Sequence, residues 1–217
     1  MNESYERLKP YMEKAQALQT AMVLFEWDNE TLAPRAAAPY TARMIGAISE
    51  EYLRVMTDET AGKLAQACGD GDGMTEVEAA ALREFREEMK KLERIPAKEY
   101  REYAELTARS AGIWAEARKN RDFGAFAPTL RQVLDYQKRF ASYQAEPGQK
   151  LYDVMLDSYE KGFDMESLDR FFGQLKTELV PFLRQVMDCG RQPDDAFLEG
   201  DYPKEKQEAF AGFLARY

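Results

Sequence analysis

Histidine is absent from all 217 positions of this chain. Imidazole is the one side chain whose ordinary pKa lets it exchange a proton near neutrality, and it is the commonest metal ligand. Its absence removes a His-Glu-x-x-His zinc helix, Ser-His-Asp and Cys-His nucleophile pairs, and a Glu-x-x-His di-iron site from the residues given. Most routes to hydrolysis are thereby closed to the chain alone. Cysteine is scarce as well. Cys68 and Cys189 are the only two, too few for a disulfide framework or a four-cysteine zinc site, and they read as small packing residues in a reducing compartment.

Long apolar runs are missing. No stretch approaches the roughly 18 residues of a membrane span. The first residues, MNESYERLKPYMEKAQ, are charged from the third position and lack the apolar centre of a signal peptide, so a cytoplasmic location is expected. Positive charge is in deficit: 30 basic residues face 39 acidic ones, a formal net charge of -9. That balance argues against a nucleic-acid partner, because displacing counterions from phosphate takes clustered basic residues. The tightest basic group, Lys90, Lys91 and Arg94, is interleaved with Glu87, Glu88 and Glu93, as on a solvated helix face. Alternating β-branched runs bounded by turns are missing too, as are repeats and low-complexity tracts.

What is present is apolar spacing of three and four, in a chain long enough to bury a core without staples. Leu8, Tyr11, Ala15, Leu18, Met22 and Phe25 mark a first helix expected to run to about Glu26, with Pro10 opening or kinking it. Met44, Ile45, Ile48, Tyr52, Val55, Met56 and Leu64 predict a second that ends near Cys68, at glycines able to take the left-handed conformation. Thr75 and Glu78 make a capping box for a third, lined by Val77, Ala81, Phe85, Met89 and Leu92 and stopping before Pro96. Tyr100, Tyr103, Leu106, Ser110, Ile113, Trp114 and Ala117 give the buried stripe of a fourth.

Asp122 and Pro128 mark the start of a fifth helix, carrying Leu130, Val133, Leu134, Gln137, Phe140 and Ala141. Leu151 to Tyr159 reads as a short helix. Asp164 should cap a longer one bearing Leu168, Phe171, Phe172, Leu175, Leu179, Phe182 and Val186, with a kink at Pro181. After the loop CGRQPDDAFLEGDYP, a last helix runs from Lys204 to Tyr217 without a terminator. The predicted class is all-α, with long antiparallel helices joined by short loops.

Three clusters bear on chemistry. LFEWDNETLAPRAAAPYTAR holds Glu26, Asp28 and Glu30, and Asp28 with a neighbour offers a pair of carboxylates, one charged and one protonated, as acid-base hydrolysis needs. The structural alternative has Asp28 and Thr31 satisfying backbone amides in a turn, Trp27 packing at the helix end and Pro34 preventing re-entry into a helix. The aromatic stripes Tyr100, Tyr103 and Trp114, and Phe171, Phe172 and Phe182, fit a substrate floor or, more commonly at this spacing, core. Arg118, Lys119 and Arg121 suit a carboxylate, which guanidinium binds through two parallel hydrogen bonds, or simply the negative C-terminal end of their helix.

The order of these motifs resembles a known family. Trp27, Asp28, Thr31 and Pro34, followed by Arg43, are similar to the W-D-x-x-T-x-M-P then R pattern of the Taq-type metallocarboxypeptidases, the thermostable carboxypeptidase 1 family, with Ala33 in place of methionine. Trp114, Ala117, Arg118, Asp122, Phe123, Phe126, Pro128 and Leu130 resemble that family's W-x-x-A-R-x-x-x-D-F-x-x-F-x-P-x-L segment. Tyr152, Asp153, Leu156, Asp157, Tyr159, Glu160 and Gly162 resemble its Y-D-x-L-L-D-x-Y-E-P-G segment, with Met155 and Lys161 as departures.

The resemblance implies a cytoplasmic, helical and usually dimeric enzyme about twice this length, which releases C-terminal amino acids from peptides in a long groove. It also implies zinc or cobalt, held by a His-Glu-x-x-His helix and a later glutamate in the C-terminal half. No catalytic residue or metal ligand carries over to this chain, and no cofactor is expected within it. Residues 1–217 are thus expected to be an N-terminal helical domain of a bowl-shaped zinc peptidase, inactive alone, with its own C-terminal half, a peptide and a second copy as partners, and neither membrane nor nucleic acid among them. Trp27, Asp28, Thr31, Pro34, Arg43, Trp114, Arg118, Tyr152, Asp153 and Tyr159 are expected to be structural or to shape a groove wall. The alternatives are a free-standing helical interaction module and the N-terminal region of an oligoendopeptidase. Truncation is expected to leave apolar faces exposed on the Phe171 helix and the last helix.

Overall fold

The computed structural model describes residues 2–71, 73–190 and 194–217; its helices are α1 (Glu3–Thr31), α2 (Ala38–Met56), α3 (Glu59–Ala67), α4 (Glu76–Leu92), α5 (Ala97–Asn120), α6 (Phe123–Gln144), α7 (Leu151–Asp157), α8 (Met165–Asp188) and α9 (Lys204–Leu214). Short 3-10 turns lie at Arg35–Ala37 and Ala196–Glu199. There is no strand among the described residues, as the all-α reading expects.

Local chemistry sets the boundaries. Asn2 caps α1: its side-chain oxygen accepts from the Tyr5 amide at 3.2 Å, and its Nδ2 donates to the Cys68 carbonyl at 3.2 Å. Since α1 begins at Glu3, Pro10 neither opens it nor ends it; the helix continues through Pro10. The expected second helix is two helices. The Asp58 carboxylate accepts from the amides of Thr60 at 2.9 Å and Ala61 at 3.0 Å and so starts α3 afresh, a side chain competing successfully with the helical backbone. Arg86 of α4 then donates to the Ala65 and Gly69 carbonyls, satisfying the open end of α3.

The capping box before α4 is present in both directions. The Glu78 amide donates to Thr75 Oγ1 at 3.3 Å, and the Thr75 amide donates to the Glu78 carboxylate at 2.9 Å. Thr75→Ala is expected to lower stability by about 1 kcal/mol, read as a lower denaturation midpoint with an unchanged slope. The stripe expected on α4 is shifted: Leu82, Phe85 and Leu92 are buried, whereas Val77 is exposed. At the far end of α5, Arg121 takes the left-handed conformation, φ 54°, and Asp122 caps α6 by accepting from the Ala125 amide at 3.1 Å.

The chain divides into two compact units, Met1–Asp164 and Met165–Tyr217. In the first, α2 and α5 pack antiparallel, since Arg35, Gly46 and Glu50 meet Glu116, Glu105 and Arg101 in turn. Gly46 keeps that crossing close: a Cβ there would run into the Glu105 side chain, which would have to shift. The core joins Tyr5 and Leu8 of α1, Tyr52, Leu53 and Met56 of α2, Ala61 and Leu64 of α3, and Leu82 and Phe85 of α4. Tyr103, Tyr136 and Phe140 lock α5 to α6 with ring centroids 5.1 to 6.0 Å apart.

Glu51 ties α1 to α2. Arg54 donates two hydrogen bonds to it, and Lys14 of α1 pairs with it at 2.6 Å. Those cations hold its carboxyl at about 2, below the ordinary 4.5. A depressed folded-state value means that the stabilisation is fully present above the ordinary carboxylate range and is lost as pH falls from about 4.5 towards about 2. Melting curves of wild type and Glu51→Gln are therefore expected to differ at neutral pH and to converge as the pH approaches 2.

The second unit has a different character. None of its described residues is buried. Along α8, Phe171, Phe172, Leu179, Phe182, Leu183 and Val186 are exposed; the core reading of the Phe171, Phe172 and Phe182 stripe from spacing does not hold, whereas the expected apolar face on the Phe171 helix is present. α8 runs through Pro181 to Asp188 as a single helix. Part of the loop that follows, residues 191–193, lies outside the described residues.

Candidate functional site

The stretch from Trp27 to Arg43 is where sequence and structure differ most. α1 does not stop at Glu26; it continues through Trp27, Asp28 and Thr31. The Thr31 hydroxyl donates back to the Trp27 carbonyl at 2.6 Å, and the amides of Leu32 and Ala33 donate to the Asp28 carbonyl at 3.0 and 2.9 Å. The helix is thus closed by the Asp28 backbone, and the expected bonding of turn amides by the Asp28 and Thr31 side chains is corrected. Trp27 is 55% exposed and does not cover the helix end. Pro34 starts the 3-10 turn, its carbonyl accepting from the Ala37 amide at 2.8 Å.

Helical continuity also decides the carboxylate question. Asp28 stands two residues from Glu26 and two from Glu30 on one helix, and residues so spaced do not face one another. Asp28 therefore gains no paired acid from its neighbours. Glu26 is the perturbed member: although largely exposed, it borders a cavity of about 270 Å³ between α1, α2 and α5. Desolvation there raises its pKa, and Glu30 one turn on adds to the effect. Sequence spacing gave no sign of this, because the cavity is made by Ile45, Tyr100 and Tyr103 from other helices.

The remaining motif residues lie mostly on the surface. Arg43 stands over the Tyr40 ring at 5.5 Å, and Arg118 over Trp114 at 5.2 Å, with Trp114 46% exposed. Arg35, just before α2, pairs with Glu116 of α5 at 2.8 Å, so the Pro34 turn and the Trp114–Arg118 end of α5 meet. Tyr152 and Asp153 lie in the first turn of α7, Tyr152 exposed and Asp153 half-buried. Tyr159 follows that helix and is 80% exposed. The loop here is anchored by Asp157, which accepts from the Gly162 amide at 2.9 Å, and by Lys161, which pairs with Glu84 and Glu87 of α4.

A long concavity elsewhere carries none of these motifs. It is a groove of about 1060 Å³ along α1, from Tyr5 to Leu24, closed by the end of α2 and by α4. Met12, Ala15, Tyr52, Met56 and Phe85 form its floor, and Glu13, Gln16, Glu84 and Glu88 its rim. Glu88 approaches the hydroxyls of Tyr52 and Tyr100, and burial together with that charge pushes both phenols up. Sequence reading placed Tyr52, Met56 and Phe85 on apolar stripes; only the convergence of three helices turns them into a floor.

Metal ligation makes a separate demand on the donor set. Among the described residues, no group of three or more His, Cys, Asp or Glu side chains is arranged to hold a metal ion. Asp28 is held apart from Glu26 and Glu30 by the two-residue spacing on the helix, and Glu84 is engaged by Lys161. No helix among them is long and apolar enough to cross a membrane.

The backbone as a whole is shared with solved carboxypeptidases. The crystal structure of BsuCP superposes with a TM-score of 0.85 at 29% identity, over 99% of this chain and 42% of that one. An M32 carboxypeptidase from Deinococcus radiodurans R1 gives 0.73 at 28%, over 98% and 42%. These define the class: an all-helical fold found in metallocarboxypeptidases. In sequence, carboxypeptidase 1 of Bacillus subtilis is 32% identical over 192 residues, 87% of this chain and 38% of that protein. The family model for the carboxypeptidase Taq (M32) metallopeptidases matches residues 7–217, and the chain belongs to that family. It spans about two fifths of the length of the curated relatives it matches, 38% and 43% for those of Bacillus subtilis and Thermus thermophilus.

Proposed function

We propose that this chain is the groove-forming helical part of a cytoplasmic, metal-dependent carboxypeptidase that releases C-terminal amino acids from peptides, and that it is inactive without the part of the enzyme carrying the zinc- or cobalt-binding motif. The observation that carries the reading is a mismatch within the molecule. Residues 7–217 match the family model, yet the chain contains no histidine and its second unit buries none of its described residues. A helix with so wide an apolar side ordinarily has a partner surface, and the curated relatives are more than twice as long.

The test is reconstitution. The chain is produced alone and together with a separate polypeptide comprising the remaining part of the Bacillus subtilis enzyme, each with zinc or cobalt supplied. Release of C-terminal amino acids is expected only from the pair. Release by the chain alone overturns the inactivity claim, and stable co-purification with no activity favours a helical interaction module. Internal rather than terminal cleavage by the pair points to oligoendopeptidase chemistry.

A further inference from the structure

The segment that follows α6 carries α7 and the third family motif, yet no residue from 142 to 163 is buried. α7 packs on α6 with Val154, Met155 and Leu156 only half-buried, so little apolar area fixes it. Its ties to α4 are charged instead. Lys161 lies against Glu84, at 3.3 Å, and against Glu87. Asp157 faces Lys91 at 3.7 Å, and Glu146 faces Lys90, on the same helix, at 3.4 Å.

The geometry is that of a latch. Glu84 and Glu87 stand three residues apart on one side of α4, where like charges repel, and the Lys161 ammonium relieves that repulsion by pairing with both. Asp157 links the latch to the loop: one carboxylate oxygen accepts from the Gly162 amide at 2.9 Å, while the other faces Lys91. Gly162, at φ 81°, takes the left-handed conformation that this turn needs. The turn that presents Lys161 and a pair that holds α7 thus share one carboxylate. Where the family pattern has proline, whose ring stiffens a turn, this chain has a cation that grips a neighbouring helix. Every side chain in these pairs is more than a third exposed, and exposed pairs are weakened by salt.

We propose that residues 146–163 form an electrostatically latched strap, held on α4 by Lys161 against Glu84 and Glu87 and by Lys91 against Asp157. The strap opens as a local unit when ions screen those pairs, and the bundle beneath stays folded. The core of Leu8, Met56 and Leu82 rests on apolar burial, which screening does not touch. Opening of this kind is sub-global, governed by the contacts of the segment alone. It requires no peptidase activity.

Hydrogen–deuterium exchange on the whole chain tests the latch. The reporters are amides bonded within the segment, those of Val154, Glu160 and Gly162, with the amides of α2 as the control. Raising sodium chloride from about 0.05 M to about 1 M shortens the screening length severalfold. That change is expected to speed exchange in the segment at least about fivefold, the factor that loss of one well-placed exposed pair produces, and to leave α2 unchanged. Lys161→Gln is expected to reach the faster rate already at low salt and to lose most of the salt response. Glu84→Gln with Glu87→Gln does the same from the other side, whereas Lys161→Arg keeps the charge and the protection. All these positions are exposed, so the variants leave the core intact. Exchange in the segment that ignores salt, a salt response shared by α2, wild-type exchange in either glutamine variant, or lost protection in Lys161→Arg overturns the proposal.

Discussion

Leu8→Ala is expected to lower stability by about 3 kcal/mol and the melting temperature by roughly 6–12 °C for a chain of this size. Leu8 is 0% exposed and belongs to the cluster that joins α1 to α2, α3 and α4. Removing its side chain loses the transfer free energy of the deleted carbons. It also leaves a cavity, since four helices fixed by their own hydrogen bonds and caps collapse little around it. The conservative comparison is Leu8→Met, which keeps nearly the same volume and is expected to cost less than about 1.5 kcal/mol. Thermal and urea denaturation of the two variants check the pair of values. Near-equal melting temperatures for Leu8→Ala and wild type would remove α1 from the core described here.

The second large effect concerns association. Phe171, Phe172, Leu179, Val180, Phe182, Leu183, Val186 and Met187 are all exposed along one helix. Contiguous apolar surface of this kind drives association. The chain by itself is expected to form dimers or larger species as concentration rises, seen as a concentration-dependent sedimentation coefficient. Leu179→Glu with Phe182→Glu places two carboxylates in the middle of that side, where burial against another apolar surface leaves them unpaired. That variant is expected to sediment as a monomer with an unchanged helical circular dichroism spectrum. A strictly monomeric wild type at high concentration would contradict the prediction. So would association that persists in the variant.

The two effects trace back to the same three-and-four spacing, and they show how far that spacing reaches. Leu8 in α1 and Phe182 in α8 sit in equally regular stripes, and on spacing alone both read as core, although exposure of the Phe171 helix was expected from the family resemblance. One is enclosed by α2, α3 and α4, whereas no described residue of the other's unit is buried. Periodicity reports that a face is apolar; it does not report what covers it. The boundaries tell a similar story. Thr75 and Glu78 were legible because both halves of a capping box lie within four residues. The restart at Asp58 was missed because apolar spacing runs on across it, from Met56 to Leu64.

In the candidate site the difference is sharper. The family motifs were legible as strings, from Trp27 to Tyr159, but what they do locally was not. WDNET looks like a break because it is polar and precedes a proline, yet propagation of a helix already formed is favourable, and α1 ends only after Thr31. A carboxylate pair built on Asp28 fails on angular grounds alone, because its acidic neighbours stand two residues away on the same helix. Glu26 gained its perturbed environment from α2 and α5, across distances in sequence that no local pattern spans.

By itself, then, the amino-acid order settled the helical class, the Thr75–Glu78 and Asp122 caps, the family and the lack of any imidazole, because each of these depends on residue type or on neighbours within about one helical turn. Tertiary structure alone decided which stripes are enclosed, that Asp28 closes a helix through its carbonyl, and that Met12, Met56 and Phe85 meet beneath an acidic rim. The physical reason is that burial and electrostatic environment are properties of surfaces brought together from distant segments, and an unpaired helix carries no record of its partner.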